Sequence, residues 1–297
     1  MTATAPTPPT TPASAAITSE SPFTRWVRAH RLLVFVLLAY GLSWAYWVPL
    51  VLTGQTVRLG SPVSQFPALL GPLIAAFVVT AVVEGRAGVL DLATRMVRWR
   101  VPLRWWLFAI GSPLALLAIA VAVTAVLSGA PALADFGRMA GLPEWGVLFV
   151  WVMFVVVNGL GEETGWRGFA LPALRERHGL VAAALLLVPI WAGWHLPLFF
   201  LLQNYRDLGP VGVPGFLIGL ACGSVLLAWL YESAGSSILL VAVWHGTYNL
   251  TSATAGANGT VAAIVSTGVM IIAVVVAWLC RHRGPAGGGR SSAAAHG

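Results

Sequence analysis

The stretch 145–167 reads WGVLFVWVMFVVVNGLGEETGWR. From Trp145 to Leu160 its one polar side chain is Asn158; Glu162 and Glu163 then stand side by side, and Arg167 follows. The apolar part has the length and character of a membrane helix. An ionisable side chain at membrane depth costs about 2.5–3.5 kcal/mol on insertion scales. The chain has 10 acidic residues among 297 and sets two of them together at the end of this span. Such placement marks a site rather than a solvated surface.

The surrounding sequence is as apolar as this stretch. Hydrophobic residues make up 58% of the chain and charged residues 9%, with a mean hydropathy of +0.83. These values predict an all-α, polytopic transmembrane helical bundle. Eight spans of bilayer length are read, at about 32–53, 64–83, 105–128, 145–161, 180–202, 213–231, 236–254 and 260–280. Residues 1–24 and 284–297, rich in Thr, Pro, Ala, Ser and Gly, read as disordered tails around a membrane domain over 25–283. The amino-terminal tail lacks the basic start and short apolar run of a signal peptide. The stretch 85–104 mixes Arg with Val, Leu and Met and suits an interfacial helix.

The net charge of +7 is carried by 17 arginines, with no lysine. Placing the amino terminus inside puts 14 of them on inner segments and leaves Arg58, Arg138 and Arg206 outside. Both termini are therefore expected in the cytoplasm. Topology accounts for the basic charge, so no nucleic-acid partner is expected. The absence of lysine removes Schiff-base chemistry, a Ser-Lys dyad and a P-loop. Cys222 and Cys280 lie in apolar runs and suggest neither a disulfide framework nor a thiolate cage. Asp91, Asp135 and Asp207 fall in expected loops, which leaves no membrane-embedded aspartyl dyad.

Five polar groups in or beside the later spans carry the functional argument: Glu162, Glu163, His195, His245 and Asn249. Glu163 and Arg167 are spaced i,i+4 and share a helix face, which by itself describes a structural ion pair; Glu162 points about 100° away. Trp191 with His195, and His245 with Asn249, repeat the same spacing. A lone buried histidine is usually a satisfied core residue; two of them with an asparagine and a spare glutamate are not so easily absorbed. A carboxylate and an imidazole can together take a proton from water. An imidazole and a carboxamide can donate to a developing oxyanion. The set then describes an acyl hydrolase without a covalent nucleophile. Glu162, His195 and His245 are equally enough to hold a catalytic zinc with a water in the open position. Counted along their spans, His195 lies about 15 residues in and His245 about nine, at different depths.

The same residues resemble the CPBP family, the CAAX-protease and bacteriocin-processing or Abi family. Its pattern has E-E-x-x-x-R (here Glu162, Glu163, Arg167), F-x-x-x-H (here Trp191 to His195, with tryptophan for phenylalanine) and H-x-x-x-N or H-x-x-x-D (here His245 to Asn249). The three occur in order over residues 145–254. The resemblance implies an intramembrane endopeptidase acting on a membrane-associated peptide or protein near the cytoplasmic leaflet. It implies Glu162 as general base aided by His195, His245 and Asn249 as the oxyanion site, and Glu163 and Arg167 as support. It leaves open whether zinc or the glutamate activates the water. A non-proteolytic immunity factor, scaffold or carrier of the same fold is the rival reading. An arginine-only composition rich in Ala, Val and Gly points to a high-GC bacterium and to its plasma membrane, where prenylated CAAX substrates are not expected.

Overall fold

The computed structural model describes residues 21–282, which are mostly helical, with no strand among them. The tails expected over 1–24 and 284–297 lie outside the described residues, except that 22–24 open the first helix. α1 is Pro22–Ala29, started by the Ser21 hydroxyl, which accepts from Thr24 N at 3.1 Å, and by proline in its first turn. There follow α2 (Arg31–Leu52), α3 (Gly71–Met96), α4 (Leu103–Ser128), α5 (Val147–Arg175), α6 (Leu180–Trp194), α7 (Leu198–Leu201), α8 (Gln203–Ser233), α9 (Ile238–Ser252) and α10 (Thr260–His282). The molecule is an integral, multi-pass membrane helical bundle.

All eight expected spans appear as helices, but not all at spanning length. Among the described residues six are long and apolar enough to cross a membrane: α2, α3 with the turn before it, α4, α5, α8 and α10. The other two, α6 and α9, have 15 residues each. These are the helices that bring His195 and His245 to the site.

Three boundaries differ from expectation, each for a physical reason. α5 does not stop at 161 but continues through Glu162, Glu163 and Arg167 to Arg175. Charge ends a membrane helix only when nothing in the bundle compensates it, and here the charges are compensated within α5 and by its neighbours. Arg167, assigned above to an inner loop, is fully buried inside the bundle. The stretch expected as an interfacial helix over 85–104 is helical as far as Met96 and is joined to the first part of α3 across a break at Gly85 (φ +65°), a conformation that glycine adopts readily. Its continuation brings Arg95 onto the carbonyl of Gly168, at 2.8 Å, and the hydroxyl of Tyr231, at 2.7 Å. The span expected over 180–202 ends at Trp194, where Pro197, without an N–H, cannot continue the ladder. The chain then folds back: Val57 N donates to Leu201 O at 2.8 Å and Gln203 N to Val57 O at 3.0 Å.

α5 is the axis of the molecule. Its middle packs on α3 on one side and α9 on the other, while α4 lies against α9 and α10, and α8 against α6 and α10. Glycines set these crossings. A Cβ on Gly159 would lie 2.6 Å from the Ala242 carbonyl oxygen of α9, and one on Gly165 would lie 2.8 Å from the Pro72 oxygen of α3. Small residues let membrane helices meet backbone to backbone in this way. Two π-helical stretches, Phe154–Gly159 and Trp166–Ala170, widen α5 on either side of its glutamates. Such widened turns recur at functional sites.

Candidate active site

Both adjacent glutamates are buried, and their surroundings differ. Glu163 is 0% exposed and its Oε1 accepts twice, from Arg167 Nη1 at 3.0 Å and from His245 Nδ1 at 2.7 Å. Arg167, also 0% exposed, lays its guanidinium 4.3 Å from the centre of the Trp191 ring. The i,i+4 ion pair read from the sequence is therefore present, with a cation–π contact added. Glu162, 2% exposed, hydrogen-bonds only neutral donors. Asn158 Nδ2 donates to its Oε1, and Trp191 Nε1 donates to its Oε2 at 2.7 Å.

His195 closes α6. Its Nδ1 bonds the Trp191 carbonyl, four residues back, at 2.7 Å, so Nδ1 carries the proton and Nε2 is left for other work. Its ring packs against Trp194, Phe216 and Tyr205, the last nearly parallel at 6.3 Å. Trp191 reconciles the two depths expected for the histidines. The ring centres of His195 and His245 each lie 6.0 Å from it.

The two Trp-His pairs divide labour alike. Trp194 Nε1 donates to Ser43 Oγ of α2 at 2.8 Å, and Trp244 Nε1 donates to Ser112 Oγ of α4 at 3.1 Å. Each tryptophan ties its helix to the scaffold; the neighbouring His245 bonds Glu163, and the neighbouring His195 bonds the Trp191 carbonyl. His245 and Asn249, one turn apart, take different partners: His245 bonds Glu163, whereas Asn249 Nδ2 donates to Asn158 Oδ1 at 2.6 Å. Asn158 is the residue that the motif reading left without a role. Its signal was present, since it lies four residues before Glu162 and is the one polar side chain of its run.

The residues that would hold zinc do not form a cage. Among the described residues no three His, Cys, Asp or Glu side chains group as metal ligands. Both oxygens of Glu162 and the Nδ1 of each histidine already have protein partners.

Comparison with known proteins falls on this same part of the chain. Residues 144–251 match the family described as type II CAAX prenyl endopeptidase Rce1-like. Over these residues, about a third of the chain, the sequence is similar to the CPBP-type proteases whose motifs it carries. A relative, CAAX prenyl protease 2 of Methanococcus maripaludis, is 32% identical over 108 residues. That alignment covers 34% of this chain and 40% of the relative, so the chain spans well under two thirds of the protein it matches. The match takes in all three CPBP motifs and the helices α5 to α9 that carry them. α2 and α4, which anchor the two tryptophans, lie outside it.

Proposed function

We propose that this protein is an intramembrane CAAX-type endopeptidase of a bacterial plasma membrane, in which Glu162 and His195 activate water. The observation that carries the reading is the contrast between the two glutamates. Glu163 is engaged by a guanidinium and an imidazole, whereas Glu162 is held only by an amide and an indole. Paired carboxylates in unlike environments take unlike roles. Glu163 orders Arg167 and His245, and Glu162 remains able to accept a proton.

A water between Glu162 and the free Nε2 of His195 loses its proton to the carboxylate as its oxygen attacks the scissile carbonyl. The developing oxyanion receives the second N–H of the Asn249 amide and, with the ring protonated, the Nε2–H of His245. Collapse of the intermediate returns the proton from Glu162 to the leaving amine. General-base assistance of this kind is worth about 10²–10⁴ in rate, and an oxyanion donor about 10²–10³. The substrate is the tail of a membrane-associated protein, cut near the cytoplasmic leaflet, and it need not be prenylated.

The test is cleavage of a peptide library, prenylated and unprenylated, by the purified protein in detergent. Glu162→Gln and His195→Ala are expected to abolish cleavage while leaving the far-ultraviolet spectrum unchanged. Cleavage at the wild-type rate by Glu162→Gln would end the assignment of Glu162 as base.

A further inference from the structure

Asn158 belongs to none of the three motifs, yet it joins two of the groups that the proposed reaction needs. It is 8% exposed and sits in the widened stretch of α5 one turn before Glu162. Its amide nitrogen donates to Glu162 Oε1, and its amide oxygen accepts from Asn249 Nδ2 at 2.6 Å. Building on the reading of Glu162 as base, we infer that Asn158 is a positioning residue that fixes the Glu162 carboxylate and the Asn249 carboxamide together.

The argument is one of polarity. An ionised carboxylate only accepts hydrogen bonds, so the amide beside it must turn its NH2 toward it. That turn leaves the Asn158 oxygen facing α9. The oxygen in turn requires a donor, so Asn249 must present its own NH2. The charge on Glu162 thus sets the orientation of two successive amides. Asn249 is left with one N–H committed to Asn158 and the other free for substrate. Reversing either amide would set two oxygens, or two N–H groups, against each other beside a buried carboxylate. Trp191 completes the arrangement by holding the second oxygen of Glu162 at 2.7 Å from Nε1. The carboxylate is therefore fixed from α5 and from α6, and the amide of α9 is keyed to it.

A residue that merely fills space and one that orders donors respond differently to substitution. Asn158→Asp keeps the shape and still accepts from Asn249, but it places an oxygen against Glu162. Asn158→Ala removes both contacts. A packing role predicts that Asp is tolerated better than Ala; the positioning role predicts that Asp is at least as damaging. With a quenched-fluorescence version of the library peptide that the wild-type protein cleaves fastest, Asn158→Ala is expected to lower kcat ~10- to 100-fold with KM nearly unchanged. The double variant with Asn249→Ala is expected to fall little further than the worse single variant, because the two amides act as one unit.

Infrared difference spectra supply a readout that needs no substrate. The Glu162 carboxylate stretch, assigned by its loss in Glu162→Gln, is expected to shift in Asn158→Ala. Near-wild-type kcat in Asn158→Asp, additive effects in the double variant, or an unmoved Glu162 band would each overturn the inference. Full cleavage by Glu162→Gln would instead refute the base assignment, and the infrared arm would still decide whether Asn158 holds Glu162.

Discussion

Replacing Glu163 by glutamine tests whether the buried ion pair is structural. The substitution keeps volume and one acceptor oxygen but removes the charge opposite Arg167. Both side chains are 0% exposed and bonded at 3.0 Å, so the guanidinium cannot recover water. Removing one partner of such a pair costs about 3–5 kcal/mol, because the other charge stays buried alone. His245 Nδ1 also loses its charged acceptor, so cleavage should fall along with stability. Arg167→Met should cost a similar amount and also removes the cation over Trp191. The double variant should be more stable than either single one, since no lone charge remains; paired removal by apolar residues is often neutral. The measurement is a double-mutant cycle on unfolding free energy in mixed detergent micelles, with denaturing detergent as the titrant. Additive costs, or a Glu163→Gln penalty below about 1 kcal/mol, the range of an exposed pair, would refute the reasoning.

Three further outcomes are expected. Trp191→Phe keeps an aromatic ring beside Arg167 but deletes the donor to Glu162, at a cost of about 1.5–3 kcal/mol in unfolding free energy; a cost near zero would mean that Glu162 Oε2 does not depend on the indole. Gly165→Ala adds a methyl group 2.5 Å from Pro72 Cβ and 2.8 Å from its carbonyl oxygen, and should destabilise by about 1–3 kcal/mol; an unchanged unfolding midpoint would show that α3 and α5 do not cross so closely. Exhaustive dialysis against EDTA should leave cleavage unchanged, whereas activity lost and restored by zinc would show that Glu162, His195 and His245 regroup around a metal in the working enzyme.

Much of this was written in the spacing of a few residues. The i,i+4 rule placed Arg167 on Glu163, because both lie on one helix and the geometry is local. The same rule put His245 and Asn249 on one face, but it could not say that they would reach Glu163 and Asn158 separately, since those partners arrive from another helix. Hydropathy located the eight helices yet misjudged the end of α5, because it scores residues one at a time and does not see Arg167 pair with Glu163 or Asn158 and Trp191 donate to Glu162. The end of α6 was signalled by Pro197, but the apolar run Leu198–Leu202 hid it. Asn158 was visible and went unused, because an amide in an apolar run shows neither which neighbour needs it nor in which direction. The G-x-x-x-G of Gly161 and Gly165 marks where α5 meets α3 and the turn before it: a Cβ on Gly161 would lie 2.7 Å from the Leu69 oxygen of that turn, and one on Gly165 2.8 Å from the Pro72 oxygen of α3.

Those glycine crossings bear on how such a protein can change over time. A core made of interlocking side chains absorbs substitution by repacking. Main chain lying on main chain has no such slack, and here it occurs on both flanks of the glutamate pair. Gly246 of α9 repeats the arrangement, since a Cβ there would lie 2.8 Å from Val155 N of α5. The placement of the two carboxylates is thus a property of the backbone lattice, almost independent of which apolar residues surround it. A residue larger than glycine at 159, 161, 165 or 246 instead forces main chain of α5 or its neighbour to shift, on the helix that carries both carboxylates.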